Sequence, residues 1–585
     1  MYIENINNPN DLKKISAENL SVLAEEIREL IISKVSACGG HLASNLGMVE
    51  LTTALHYVFD SPHDKFVFDV SHQTYCHKIL TGRKDAFICE DKYKTVTGFS
   101  NPYESEHDHF VIGHTSTSIS LACGLAKARD LTFGNENVIA IIGDASLDGG
   151  EAFEALNYAS ELNSNLIVIV NDNEMSIPEN HGALGKHLKD LKASLGKLKN
   201  NFFVSLGFEY HFVEEGNNIL DIIEALKNVK DSSHPVVIHM RTQKGKGYLY
   251  AEEDKEKWHW ARPFDRNSGE YLTSVPKENY GSIVAEHLIN KIQRDSKVVV
   301  IAASTPICIG FDKTKRELAG KQYVDVGIAE QNAVTMAAAM AKRGCKPVFA
   351  TNSTFLQRAY DQIQQEMCLN DAASTILVTH ASIYGHHNDT HVGILDIPLL
   401  GNIPKLKYLA PANKEEYLAM LDWSIEQNST SVAIRVPWTG VTHTTYEVSK
   451  EYDEVSYKII NEGEKVCIIA LGGFFDLGQN TAALLKEKMG IEPTLINPRF
   501  ITGTDEETLN WVAQNHELVI TLEDGILSGG FGAKISQYYS KSEIKVHNYG
   551  FSMDIPRVYN PAEIMEKNSL SASQIVDKIL ENFYV

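Results

Sequence analysis

The chain contains no apolar run approaching the ~20 residues of a transmembrane helix, so no spanning segment is expected. Its N-terminus, M-Y-I-E-N-I-N-N-P-N, lacks the basic-then-apolar pattern of a secretory signal. Cysteines are few and scattered: eight, at positions 38, 76, 89, 123, 308, 345, 368 and 467, with no C-x-x-C pair. Such spacing suits free thiols in a reducing compartment. Positive charge is also scarce, since 54 basic residues face 76 acidic ones and leave a net charge of −22. That balance argues against nucleic acid or an anionic membrane as the main partner. No low-complexity tract appears. These absences together predict a cytoplasmic globular protein.

What is present is enough for several cores. At 585 residues the chain exceeds what one core organises, and 43% hydrophobic with 22% charged residues is ordinary globular usage. Apolar repeats at three and four predict an amphipathic helix over Ala17–Ser36, ended by Cys38-Gly39-Gly40, and a second over Val49–Val58. Phe66–Asp69 and Pro235–His239 read as strands. A second α/β block opens near Tyr280 with strands Val298–Ala303, Pro347–Ala350 and Ile376–Val378; Glu330 heads an alanine-rich helix within it. The polar stretch Tyr446–Lys465 reads as a linker. A third block follows, with strands Val466–Leu471 and Leu518–Thr521, helix Thr481–Met489, a loop Glu523–Gly530 and a C-terminal helix. The expected class is α/β, as three α/β domains with mostly parallel sheets over 1–275, 276–445 and 446–585.

The most informative stretch runs from Val138 to Ile177. Two apolar runs, Val138–Ile142 and Leu166–Val170, flank a helical pattern of Ala152, Phe153, Leu156 and Ala159. A βαβ unit makes the two strands parallel and puts their carboxyl ends on one edge, where open α/β sheets bind ligands. Asp144 follows the first strand and Asn171-Asp172-Asn173 the second. A carboxylate and an amide oxygen, joined by a backbone carbonyl and a diphosphate, complete the oxygen shell Mg²⁺ demands. Three histidines, 41, 72 and 114, fall at the starts of elements or loops in the same third of the chain, as expected of a shared pocket. After Ile177, residues 178–205 are polar and lysine-rich and read as a mobile loop or exposed helix. Thr242–Tyr248 is a glycine-broken basic loop that can set Lys244 against a phosphate.

Read together, the motifs are specific. G-G-H-L-A-S-N-L-G (39–47), D-V-S-H-Q-T-Y-C-H-K-I-L-T-G-R (69–83), G-H-T-S-T-S-I-S (113–120), G-D-A…N-D-N-E-M-S-I, D-V-G-I-A-E-Q (325–331) and S-T-F-L-Q-R-A-Y-D-Q (353–362) occur in one order. In these the chain resembles the 1-deoxy-D-xylulose-5-phosphate synthase family, thiamine-diphosphate (ThDP) enzymes related to transketolase, along nearly its whole length. The resemblance implies a transketolase-like ThDP-binding fold, ThDP and Mg²⁺ as cofactors, pyruvate and an aldehyde as small-molecule substrates, and a homodimer. It implies that Asp144, Asn173 and the Met175 carbonyl hold the metal. His72, Gly113, His114, Thr115, Ser116, Ala145 (a glycine in the usual signature) and Lys244 would line the diphosphate and thiazolium side. Ile177 would press the cofactor into its bent shape, and Phe355 would stack on its pyrimidine. Glu330 would share a proton with the pyrimidine ring and so switch the cofactor on. His41, His259 and His391 would move protons on substrate oxygens.

Departures from the family gather at the acceptor end. His380 and Trp438 stand where the family has arginines that grip the phosphate of glyceraldehyde 3-phosphate, and Asn352, His387 and Asn332 replace a tyrosine, an aspartate and a histidine. Arg358 is retained. Replacing two guanidinium forks by an imidazole and an indole removes most of a phosphate site. Two readings follow: an acceptor that carries no phosphate, or a phosphate held by Arg358 together with other groups. Retention of Glu330, His41, His72 and the metal pair argues for an enzyme over a ThDP-binding protein without turnover, which has no need of a proton-sharing carboxylate; a transketolase-like transfer from a ketose, with no CO₂ lost, is the other enzyme reading.

Overall fold

The structure is a computed structural model that describes residues 1–274, 276, 278–383, 388–436, 440–557 and 559–583. Its contacts divide the chain into two compact units: residues 1–275 with 327–329, and 276–326 with 330–585.

The first unit is built on a five-stranded, all-parallel sheet with strands β1 (Lys65–Phe68), β2 (Val138–Gly143), β3 (Leu166–Asp172), β4 (Glu209–Val213) and β5 (Pro235–Arg241), in the order β1-β2-β3-β5-β4. Both faces of its central strands are covered, so they read as unbroken apolar runs rather than alternating ones; Ile139–Ile142 and Leu166–Val170 are fully buried. The expected βαβ unit is present, with Ile139 beside Ile167 and Gly143 beside Asn171. Its helix, Gly150–Ala159, buries Ala152, Ala155, Leu156 and Ala159, while Phe153 is 39% exposed. Phe153 therefore lies off the core-facing stripe, and Ala155 completes it.

Residues 178–205 are more ordered than their composition suggests. They hold a helix, Gly182–Ala193, that buries Leu188 and Leu191 and the stem of Lys192. Three buried positions are enough to dock a helix whose other faces are lysine-rich.

The second unit carries two sheets. The first contains β6 (Val298–Ala302), β7 (Tyr323–Asp325), β8 (Lys346–Asn352), β9 (Thr375–Thr379), β10 (Lys407–Leu409) and β11 (Val432–Arg435), all parallel, in the order β10-β11-β9-β8-β6-β7. Helix Tyr280–Arg294 leads into it from a capping box made by Asn279 and Ser282. The other sheet contains β12 (Lys458–Asn461), β13 (Lys465–Ala470), β14 (Thr494–Asn497), β15 (His516–Ile526) and β16 (Lys545–Phe551), in the order β12-β14-β13-β15-β16, with β12 antiparallel. Two expectations are corrected here. The 446–465 linker contains the edge strand β12, and the loop expected at Glu523–Gly530 begins inside β15, which runs to Ile526. Neither signals itself by alternation: β12 is half-buried throughout, and Glu523 and Asp524 are charged yet fully buried. Among the described residues no helix is long and apolar enough to cross a membrane, and all eight cysteines are free.

Candidate active site

In the first unit, three sequence-distant histidines meet. The rings of His41 and His72 lie 4.8 Å apart, those of His72 and His259 5.2 Å, and those of His41 and His259 5.6 Å. Backbone pairing explains the approach: Gly40 and Ala261 form an antiparallel bridge, and the Ala43 N–H donates to the Trp258 carbonyl at 2.9 Å. His41 also packs edge-on against Phe99 at 5.7 Å. Burial, then the nearby charge of Lys244 and the two other imidazoles, holds His259 well below the ordinary histidine range, so it stays a neutral base. Its Nδ1 is shut off from solvent and has no hydrogen-bond partner.

The Gly113–Ser116 turn is braced by a residue outside the motif. Buried Asp69, just past β1, accepts the Ser116 N–H at 2.8 Å and the Ser118 N–H at 3.0 Å. Ser116 is held at φ 72°, and its hydroxyl donates to the Ser146 carbonyl at 2.7 Å. A Cβ at Gly149 would collide with that hydroxyl, so only glycine fits there.

Asp144 leaves β2 with its N–H on the Asn171 carbonyl at 3.2 Å, at the carboxyl edge. It is buried, as is Ala145 behind it. One of its oxygens accepts Asn180 Nδ2 at 2.7 Å, and Asn180 Oδ1 is buried with no partner. Burial, reinforced by the neighbouring Asp172 carboxylate, pushes Asp144 well above the usual carboxylate range. The Asn173–Ile177 turn follows β3: Asn173 Oδ1 accepts the Met175 N–H at 3.2 Å, with Glu174 at φ 66° and Ile177 half-buried. Lys244 is buried and donates to the Ser176 carbonyl; burial brings it down to about 7, against the pull of Asp144. The Asp144 carboxylate thus meets an amide N–H, and the same amide leaves its buried oxygen unpaired beside it. A carboxylate, amides and a carbonyl are hard oxygen donors, which fit Mg²⁺.

In the second unit, Glu330 is the first residue of helix Glu330–Lys342, 3% exposed, with Oε2 unpartnered. Burial raises its carboxyl, and Arg358 pulls it only part of the way back. Phe355 and His391 meet edge to face at 5.5 Å, and His391 Nδ1 shares a 2.8 Å hydrogen bond with Thr390 Oγ1. Thr379 links the acceptor candidates: its hydroxyl donates to Asn352 Oδ1 at 3.0 Å and lies 3.2 Å from His380 Nδ1. His380 sits at φ 51°, a conformation kept only where surroundings enforce it. His387 and Trp438 lie outside the described residues.

Family models match the chain in three successive parts: 1-deoxy-D-xylulose-5-phosphate synthase over residues 3–200, the transketolase pyrimidine binding domain over 277–441, and the transketolase C-terminal domain over 456–575. The 1-deoxy-D-xylulose-5-phosphate synthase of Natranaerobius thermophilus is 39% identical over 98% of this chain and 97% of its own length. The chain belongs to the 1-deoxy-D-xylulose-5-phosphate synthase family. The synthase of Alkaliphilus oremlandii is 38% identical over 100% of this chain and 99% of its own. Among solved structures, a transketolase from Campylobacter jejuni matches at 17% identity over 95% of this chain and 98% of its own, with a TM-score of 0.44.

Several groups that touch the candidate residues within each unit do not stand out in the motifs. Asp69, Asn180 and Thr379 contact expected residues from elsewhere in the chain, and Lys192 and His239 hold Asp172, the neighbour of Asn173. Only Asp69, the first letter of D-V-S-H-Q, carries a local signal. The others act through sheet register and helix docking, which spacing along the chain does not encode.

Proposed function

We propose that this chain is a ThDP- and Mg²⁺-dependent transferase that decarboxylates pyruvate and joins the two-carbon unit to an aldehyde. The observation that carries the reading is Glu330: a buried carboxyl at a helix start, pushed toward its protonated form, with one oxygen unsatisfied. A structural carboxylate in that position would be paired; this one is suited to sharing a proton with a ring nitrogen. When bound, ThDP would supply a nucleophilic carbon, an electron sink for decarboxylation and a carrier for the two-carbon unit.

The chain's own residues do the rest. Asp144, Asn173 and the Met175 carbonyl hold Mg²⁺, with Lys244, His72, Ala145 and the 113–116 turn around the diphosphate. Phe355 and Ile177 supply apolar walls for the cofactor. His259, kept neutral by burial and neighbouring charge, accepts protons from substrate oxygens, with His41 beside it and His391 toward the acceptor. Arg358, His380 and Asn352 contact the second substrate, and the loss of the family's arginines at 380 and 438 supports an aldehyde without phosphate. The three domains at 1–275, 276–445 and 446–585, a homodimer and a cytoplasmic setting complete the proposal, the last supported by eight free cysteines.

The test is CO₂ release from labelled pyruvate, with glyceraldehyde and glyceraldehyde 3-phosphate compared as acceptors. Wild type releases CO₂ and forms a ketose, while Glu330→Gln binds ThDP but turns over at least ~100-fold more slowly. Full turnover in Glu330→Gln sinks the reading; a strong preference for the phosphorylated aldehyde overturns only the acceptor part.

A further inference from the structure

Behind the proposed metal anchor lies a buried relay centred on Asp172, whose partners Lys192, His239 and Tyr210 lie outside the motifs. Asp172, the last residue of β3 and 1% exposed, has both carboxylate oxygens engaged. Oδ1 accepts Lys192 Nζ at 2.8 Å, and Oδ2 accepts His239 Nε2–H at 2.8 Å. His239, fully buried on β5, in turn has its Nδ1 2.8 Å from the Tyr210 hydroxyl on β4. Lys192 comes from helix Gly182–Ala193 and also reaches Glu174 at 2.8 Å. Asp172 Oδ1 has one more donor, the Glu174 N–H at 3.2 Å. That last bond closes the turn that puts Glu174 at φ 66° and leads Asn173 and Met175 off the strand.

We infer that Lys192 and His239 make Asp172 a positioning carboxylate for the metal anchor. With its oxygens committed to the relay, Asp172 shapes the Asn173–Met175 turn and leaves Asp144 as the carboxylate that faces the cation. The physical case is one of satisfaction. A buried carboxylate beside Asp144, lacking those donors, would rotate to find others, and the turn it closes would lose its template. Groups that orient metal ligands without touching the metal typically contribute 10- to 100-fold in metal affinity. Helix 182–193 is thus tied to the anchor at the Lys192 end, and the loop before it is tied by Asn180 to Asp144.

The inference rests on the Mg²⁺-dependent reading above, and the experiment separates the two. The Mg²⁺ concentration for half-maximal ThDP binding is measured by quenching of protein fluorescence in wild type, Lys192→Met, Lys192→Arg and Tyr210→Phe, with cofactor-free melting temperatures alongside. Wild-type protein that shows no Mg²⁺-dependent ThDP binding refutes the functional reading itself. Given binding, Lys192→Met should raise the half-saturating Mg²⁺ about tenfold and lower the cofactor-free melt by stranding Asp172, while Lys192→Arg should restore the melt and bring the Mg²⁺ requirement to within about threefold of wild type. Tyr210→Phe, which removes only the far hydroxyl, should show a smaller rise and carries the test if Lys192→Met is insoluble. Unchanged or tighter Mg²⁺ dependence in Lys192→Met, as a simple gain of negative charge would produce, overturns the inference. So does a loss that Arg fails to rescue and that tracks the melting temperature.

Discussion

Acidification should loosen the segment leading into the 113–116 turn before it affects the rest of the first unit. Residues 97–112 pack on a buried histidine cluster: His56 Nε2 bonds His77 Nδ1 at 2.9 Å, and His77 Nε2 bonds Asp108 at 2.9 Å. Arg83 grips the same carboxylate at 2.8 and 2.9 Å. Burial first, then the nearby charges of His77 and Arg83, lowers His107 to about 4; burial with Lys65 and His77 does the same for His109. These rings are neutral when folded but bind protons near pH 6.5 once the segment opens. Opening is therefore favoured progressively as pH falls from 6.5 toward 4, where the effect levels off. Asp108 does not confound this window. Against the upward push of burial, Arg83 and His77 hold it well below the usual range, so its contribution is constant above pH ~4.

The magnitude follows from the gap. Between pH 6.5 and 5 each ring forfeits ~2 kcal/mol at 1.36 kcal/mol per pH unit. Halving for partial exposure leaves ~1 kcal/mol each, or ~2 kcal/mol for the pair. Amide exchange over 97–112, corrected for intrinsic rates, should thus lose roughly 30-fold in protection between pH 7 and pH 5. In the His107→Gln, His109→Gln double variant the same shift should cost clearly less than in wild type, the remainder coming from His56 and His77, which burial also keeps neutral in the folded state. Equal losses in wild type and variant would refute the reasoning.

Two other substitutions probe packing around the site. Gly149→Ala drives a Cβ into Ser116 Oγ; overpacking of this kind costs ~1–3 kcal/mol, and ThDP binding by fluorescence should weaken at least tenfold as the 113–116 turn shifts. Arg435→Met strands Asp396, held by Nε at 2.7 Å, and Asp524, held by both terminal nitrogens, in the core of the second unit. Breaking a buried ion network from one side costs ~3–5 kcal/mol, read as a large fall in melting temperature; an unchanged melt would show the network to be dispensable.

The chain's local patterns determined much of this protein. Apolar runs located strands β1, β2, β3, β5, β6, β8 and β9 to within a residue or two, because doubly covered parallel strands must be apolar on both faces. The same runs, each followed by a polar or acidic residue, placed Asp144 and Asn173 at one sheet edge. Residue type and order also singled out Glu330 and the histidines at 41, 72 and 259. Where the fold had to bring distant pieces together, local pattern was silent. Strand β12 is short and half-buried, with two isoleucines between Lys458 and Asn461, so within the polar stretch 446–465 it carries only a weak strand signal. Helix 182–193 looks exposed because its docking uses only two leucines and a lysine stem, and the value of Lys192 depends on Asp172 being opposite it. The burial of Glu330, the contact among three imidazoles and the relay behind Asp144 belong to tertiary structure alone. Desolvation and pairing are properties of what surrounds a side chain in space, and neighbours along the chain do not supply them.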